Sequence, residues 1–465
     1  MIFFILVLAA YYLLSPRYRW TLLLAASVYF YMYFVPIYIL ILFAIIIVDY
    51  YAAIFIEQCK TAKGKRLWLV GSLLANIGVL VVFKYWNFIG ENLNGLSSLL
   101  KGPELIPPLN IILPIGLSFH TFQSMAYTLE VARGNYKAER HLGVYATYVM
   151  FFPQLVAGPI ERPQGLLYQL KNVYAKFNQR DFFIGLAQIA YGLFTKVVVA
   201  DLTAVYVDNI YANYKTEHGF PVLLAFFLFP IQIYGDFSGY SNIAIGAARM
   251  MGYKLMENFK TPFFSKTHAE FWRRWHISLS TWLRDYTFQP MVLFFRDYGK
   301  WGIAIATVLN FLVSGIWHGA SWNFVIMGFI SGVFIAGEIL LNINSKKFNK
   351  TTFKKIQGVL YAFSVYSLAA VFFRAVTFEQ ATTFIGHIFS SDFFNFKAYD
   401  KNIFTSIILM GTLFISFEFF VFRNHSFDAL YDKKPKLLLG MSLFLVLTVL
   451  LFGVENGNQF IYFQF

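Results

Sequence analysis

Apolar runs of about 20 residues, each long enough to cross a bilayer, alternate with short polar stretches along the whole chain. The pattern predicts two spans that meet at Val35-Pro36. Further spans follow near 67–89, 111–131, 182–207, 220–250, 301–317, 322–341, 356–373, 403–422 and 437–453. Residues 2–14 form a shorter apolar run with no basic n-region and no small-residue cleavage site after it, which reads as a retained first helix. "FFPQLVAGPIERPQG" at 151–165 places three prolines and two glycines at apparent membrane depth. Broken backbone is tolerated there only where protein buries it or it lines a cavity. Lysine and arginine collect in "RYR" (17–19), "KTAKGKR" (60–66), "KKFNKTTFKK" (346–355) and "DKKPK" (432–436). The positive-inside rule puts those loops in the cytoplasm, and the N-terminus and the tail 454–465 on the extracytoplasmic side.

Composition agrees with that reading. Of 465 residues, 58% are hydrophobic, 20% aromatic and 13% charged, and mean hydropathy is +0.57. Soluble proteins are about 25% charged, so lipid is the solvent here. The expected fold is all-α: a polytopic membrane protein of about 11–13 helices, some re-entrant or interfacial. With no repeat and no soluble stretch, residues 1–465 read as a single membrane domain. A single cysteine, Cys59, excludes internal disulfides and Cys-rich metal sites. The formal charge of +14 would suggest nucleic acid in a soluble protein. Here it is spent in short loops facing anionic lipid.

Residues 252–300 are the most charged part of the chain and read as a cytoplasmic-side interfacial segment. Within "TPFFSKTHAEFWRRWHISLSTWLRDYTFQP" (261–290), Thr267 and Glu270 match a capping box, predicting a helix start, and Pro290 predicts its end. On a helical wheel Trp272, Trp275, Leu279, Trp282, Leu283 and Tyr286 share one face, expected to turn toward hydrocarbon. Arg273, Arg274 and Arg284 lie opposite, where guanidiniums meet lipid phosphates or those of a coenzyme. His276 sits at the edge of the aromatic face, where a headgroup anchor has no use for an imidazole.

The most informative residue is His318, in "SGIWHGASWN" (314–323). Ionisable groups inside membrane spans are rare and mark pathways or reaction sites by default. Removal from water favours the neutral ring, the form a general base takes. Gly319, Ala320 and Ser321 admit close approach. Trp317 and Trp322 are expected to wall the site, with Asn323 and Asn310 within reach.

Five segments together resemble the membrane-bound O-acyltransferases, in the branch that acetylates bacterial polysaccharides: "LPIGLSFHTFQSMAYTLEVARG" (113–134), "FFPQLVAGPIERP" (151–163), "YGDFSGYSNIAIGAARMMGY" (234–253), "EFWRRWHISLSTWLRDY" (270–286) and "GIWHGASWNFVIMGF" (315–329). The terminal "FIYFQF" adds to them. The resemblance implies a fold enclosing a transmembrane tunnel, His318 as the catalytic residue and His276 as the second polar position. It implies acetyl-CoA as cytosolic donor, no bound cofactor or metal, an extracytoplasmic polysaccharide such as an alginate-like polymer or peptidoglycan as acceptor, and an SGNH-hydrolase-like partner protein. The terminal Tyr462 is a candidate acyl relay. A transporter or flippase is the rival class, although repeated halves are lacking. Within the enzyme class the rivals are another acyl donor or a lipid acceptor. A polymerase would need clustered acids, and Asp236, Asp285 and Asp297 are scattered.

Overall fold

A computed structural model describes residues 2–172, 176–390, 393, 401–424, 426–454 and 460, and every regular element among them is a helix. Hydrocarbon offers no partner to a backbone amide, so a segment that crosses it closes its hydrogen bonds within itself. Among the described residues, eight helical stretches are long and apolar enough to do so: Pro36–Gln58, Ala62–Leu99, Gln179–Ala212, Phe220–Met250, Arg296–His318, Trp322–Leu340, Thr352–Arg374 and Pro435–Phe452. Thr61, Thr267, Thr351 and Thr377 each begin a helix by accepting a backbone N–H three residues on. The chain forms two compact units, Met1–Gly185 with Ala244–Met256 and Leu186–Ile243 with Glu257–Phe465.

In the first unit, α1 (Ile39–Gln58), α2 (Ala62–Leu80) and α3 (Leu117–Ala132) meet around one buried carboxylate. Asp49 of α1 accepts hydrogen bonds from Ser72 Oγ (2.6 Å) and Asn76 Nδ2 (2.8 Å) of α2 and from Ser124 Oγ of α3. A buried acid survives only with such partners. Two expected elements differ. α2 runs through a π-turn into Trp86–Leu99, so the helical stretch covers 62–99, beyond the expected 67–89. The expected span 111–131 is the 16-residue α3, because Pro114 lacks an N–H and Gly116 takes a left-handed φ of +72°, deferring the helix. After α4 (Leu142–Met150) the proline-rich stretch is irregular, and all of 151–161 is buried, which is how broken backbone is accommodated.

The second unit holds 220–243 of α5 (Phe220–Met250), then α6 (His268–Arg274), α7 (Ile277–Leu283), α8 (Gly299–His318), α9 (Trp322–Leu340) and α10 (Thr352–Arg374). The capping box at α6 forms: Thr267 Oγ1 accepts Glu270 N–H at 3.1 Å, while the Glu270 carboxylate reaches back to Lys266 N–H at 3.1 Å. The single helix expected from Thr267 to Pro290 does not form. It breaks at His276, whose φ is +43°, and helical backbone then continues past Pro290 to Phe294. Pro290 follows closely on the π-turn Arg284–Phe288, within continuous helical backbone. The aromatic face also differs from expectation. Trp275, Leu279, Trp282 and Leu283 are all buried in the core, because the break folds α6 and α7 against their own unit and removes those rings from the surface.

α8 and α9 pack backbone to backbone through glycine. A Cβ on Gly315 would lie 2.3 Å from the Phe324 carbonyl oxygen, and one on Gly328 would lie 2.2 Å from that of Phe311. Small residues at helix contacts permit this approach. The contact fixes the end of α8, where His318 stands three residues beyond Gly315.

Candidate active site

His318 is the last residue of α8 and is buried. The chain leaves the helix through Gly319, where a Cβ would fall 2.0 Å from the Phe324 ring, so only glycine permits the tight return into α9. The imidazole meets Trp317 (ring centroids 5.0 Å) and Phe373 (5.7 Å) edge-on. It opens on a narrow cavity of about 20 Å³ lined also by Trp272, Trp275, Ser331, Tyr366 and Phe373. That is room for about one water.

His276 lies in the break between α6 and α7 and is fully buried. Its Nδ1 faces Asn258 Oδ1 at 3.3 Å, and its ring packs edge-on against Phe237 (4.6 Å) and Trp317 (5.9 Å). Trp317 therefore touches both imidazoles. Burial, and after it the charge His318 would carry, hold the His276 ring well below the usual histidine range, so it is neutral at pH 7.

Nearby, His268 is also fully buried and accepts the Trp272 indole N–H at Nε2 (3.0 Å). Burial pushes its pKa down to about 3. It anchors a ring that lines the cavity.

The fold thus brings together His318, His276 and Trp317, expected at the site, and adds Trp272 and Trp275, which had been expected to face hydrocarbon. It sends others elsewhere. Trp322 was expected to wall the site but is 60% exposed, because it occupies the first turn of α9 while its neighbour Asn323 turns inward. Asn323 donates to the Ala375 carbonyl at 2.8 Å, tying the start of α9 to the end of α10. Asn310 accepts from Thr287 Oγ1. Arg274 pairs with Glu270 (2.8 Å) and Arg284 with Asp285 (2.8 Å), and Arg273 and Arg284 are exposed; none of the three arginines lines the cavity. Tyr462 lies outside the described residues. The sequence reading missed Asn258, Phe237, Tyr366 and Phe373. Phe237 stands in a motif quoted above, but nothing in its spacing marks it as a neighbour of His276.

Residues 138–378 match the model of the membrane-bound O-acyltransferase family, MBOAT, over more than half of the chain and including both histidines. The chain belongs to this family. It is therefore a multi-pass membrane acyltransferase, as the eight apolar stretches and the motifs had indicated. It is 35% identical to a probable alginate O-acetylase of Azotobacter vinelandii over 84% of this chain and 76% of that protein. A peptidoglycan O-acetyltransferase of Helicobacter pylori is 32% identical over 80% of this chain and 73% of its own. A teichoic acid D-alanyltransferase of Bacillus subtilis is 30% identical over 57% and 66%. The names of these three relatives refer to alginate, peptidoglycan and teichoic acid.

Proposed function

We propose that this acyltransferase moves an acetyl group from cytosolic acetyl-CoA to hydroxyls of an extracytoplasmic polysaccharide. The transfer is direct or passes through an SGNH-hydrolase-like partner. The observation that carries the reading is a buried His318 beside a small cavity within an acyltransferase fold. An alcohol is a weak nucleophile until a base takes its proton as the carbon–oxygen bond forms. His318 Nε2 takes that proton while the hydroxyl oxygen attacks the thioester carbon. When the tetrahedral intermediate collapses, the carbon–sulfur bond breaks and the proton passes to the departing thiolate. Atoms and charge then balance with no cofactor or metal. The cavity holds about one water, so the rings of Trp272, Trp275 and Tyr366 must part to admit a two-carbon acyl group.

Arg273 and Arg284 keep exposed guanidiniums suited to coenzyme phosphates, with Arg274 braced by Glu270 beside them. The relatives' names support an acetyl donor and a glycan acceptor, alginate or peptidoglycan. The basic loops support insertion in the cytoplasmic membrane with both termini outside. Phe460 supports a role for the tail. Its ring packs on Tyr240 (5.4 Å) and on Phe237 (6.1 Å), which abuts His276, and Tyr462 follows two residues later as a candidate relay.

The test is label transfer. Membrane vesicles carrying the protein and its polymer are given acetyl-CoA labelled in the acetyl group. Label in alkali-labile esters of the polymer is the expected outcome. Label that stays in the soluble coenzyme, with the protein present at normal level, refutes the donor.

A further inference from the structure

Asn258 sits in the connection between α5 and α6, fully buried, and every polar atom of its side chain is engaged. Its Oδ1 accepts Ser278 N–H (3.2 Å) and Ser278 Oγ–H (2.9 Å) and faces His276 Nδ1 (3.3 Å). Its Nδ2 donates to Ser241 Oγ (3.1 Å), and its backbone carbonyl accepts Ile277 N–H (2.9 Å). A backbone N–H can only donate, so the Ser278 contact settles which end of the amide is oxygen. An amide oxygen can only accept. The His276 nitrogen that faces it must therefore carry the proton. Ser278 Oγ also lies 3.4 Å from Nδ1, but the shorter of its contacts gives its proton to Asn258.

We propose that Asn258 is a positioning residue: it holds His276 as the Nδ1–H tautomer, so that Nε2, at the far edge of the ring, presents a lone pair. The inference rests on the reading of His318 as base given above. His276 Nε2 is then an acceptor in the resting enzyme. Trp317 touches both imidazoles, and across it a lone pair on His276 favours the imidazolium that forms on His318 when the hydroxyl proton arrives, whereas a second N–H would oppose it. His276 also has a left-handed backbone, φ +43°, which a residue with a side chain keeps only where its surroundings over-determine it. The Ile277 and Ser278 bonds to Asn258 supply that determination. Burial keeps the ring neutral. Its titratable neighbour is His318, and Phe237, Phe259 and Trp317, which also surround it, do not titrate.

Asn258→Asp separates positioning from mere packing. Every group around Oδ1 is a donor, and the Ser241 hydroxyl can rotate to donate, so a carboxylate is accommodated. Its charge beside Nδ1 raises the ring's proton affinity, and the acid limb of the pH–rate profile should move up by roughly 1–3 pH units. Activity lost near neutral pH should return in alkali. Asn258→Leu, which offers no acceptor, should lower kcat on the order of 10²–10⁴-fold without that recovery. An unshifted profile in Asn258→Asp, or full activity in Asn258→Leu, overturns the proposal.

A second measurement needs no variant to be active. The full chain labelled with ¹⁵N at histidine, in lipid nanodiscs, reports which ring nitrogen of His276 is protonated, with assignment by the signal that His276→Ala removes. Nδ1–H is expected; Nε2–H overturns the proposal. Loss of the His318 base reading would show separately, as an active His318→Ala.

Discussion

Gly315→Ala adds one methyl group and should nearly abolish acyl transfer. The new Cβ would lie 2.3 Å from the Phe324 carbonyl oxygen and 3.3 Å from Gly328 Cα. Ordinary contact begins near 3.4 Å, so α8 and α9 must separate by about 1 Å at this point. The obstacle is backbone, which cannot rotate aside as a side chain can. Overpacking of this kind costs roughly 1–3 kcal/mol of stability. His318 stands one turn beyond Gly315 and moves with it. A 1 Å misplacement of a reacting group costs about 10²-fold in rate, or about 2.7 kcal/mol of barrier. The assay is initial rate of acetyl transfer per mole of folded protein in membranes, beside the melting midpoint. Gly337→Ala, on the same helix pair with nothing within 4 Å of its Cβ, serves as control and should leave the rate unchanged and the midpoint unlowered, since Ala favours helix over Gly. A Gly315→Ala enzyme with wild-type rate and melting midpoint would show that glycine packing does not set the position of the imidazole.

Two further outcomes follow from buried polar groups. Asn323→Ala removes the 2.8 Å bond to a buried Ala375 carbonyl. It should cost roughly 1–3 kcal/mol of stability while leaving KM for the acyl donor unchanged; a raised KM with normal melting would restore Asn323 to the binding site. Acid should destabilise the protein through His268. Its folded pKa of about 3 lies below the unfolded value of about 6.5, so the unfolded state binds more protons as pH falls through 6.5. The stability is fully present above that pH and should decline by about 1.4 kcal/mol per pH unit below it, with His276 acting in the same direction. Melting midpoints from pH 8 to pH 5 check this, and His268→Gln, which keeps an acceptor for Trp272, should flatten the slope. An equal slope in both proteins would contradict the assignment.

What the sequence could and could not disclose follows from the range of the forces involved. His318 was legible because an ionisable ring within an apolar run is costly wherever it lies. The capping box at Thr267 was legible because its partners are three residues apart. The break at His276 was not. Its left-handed backbone depends on Asn258, 18 residues away along the chain, and a wheel drawn through 267–290 assumes that no such partner exists. The same long-range bonding explains why the aromatic face of α6 and α7 is core and not a lipid anchor. Trp322 and Asn323 could not be told apart by residue type, since one position of helix phase decides which of them points inward. Asn258 itself looked like any polar residue in a connecting stretch; its signal is entirely tertiary.

The central claim is that His318 performs the proton transfer, and it is tested most directly in cells. Ester-linked acetate on the extracellular polymer is quantified in a strain lacking the gene, complemented with wild type or His318→Ala at matched membrane levels and matched melting midpoints. Acetate is expected to return with the wild-type protein and to stay at the deletion level with His318→Ala. Acetate restored by the variant would contradict it.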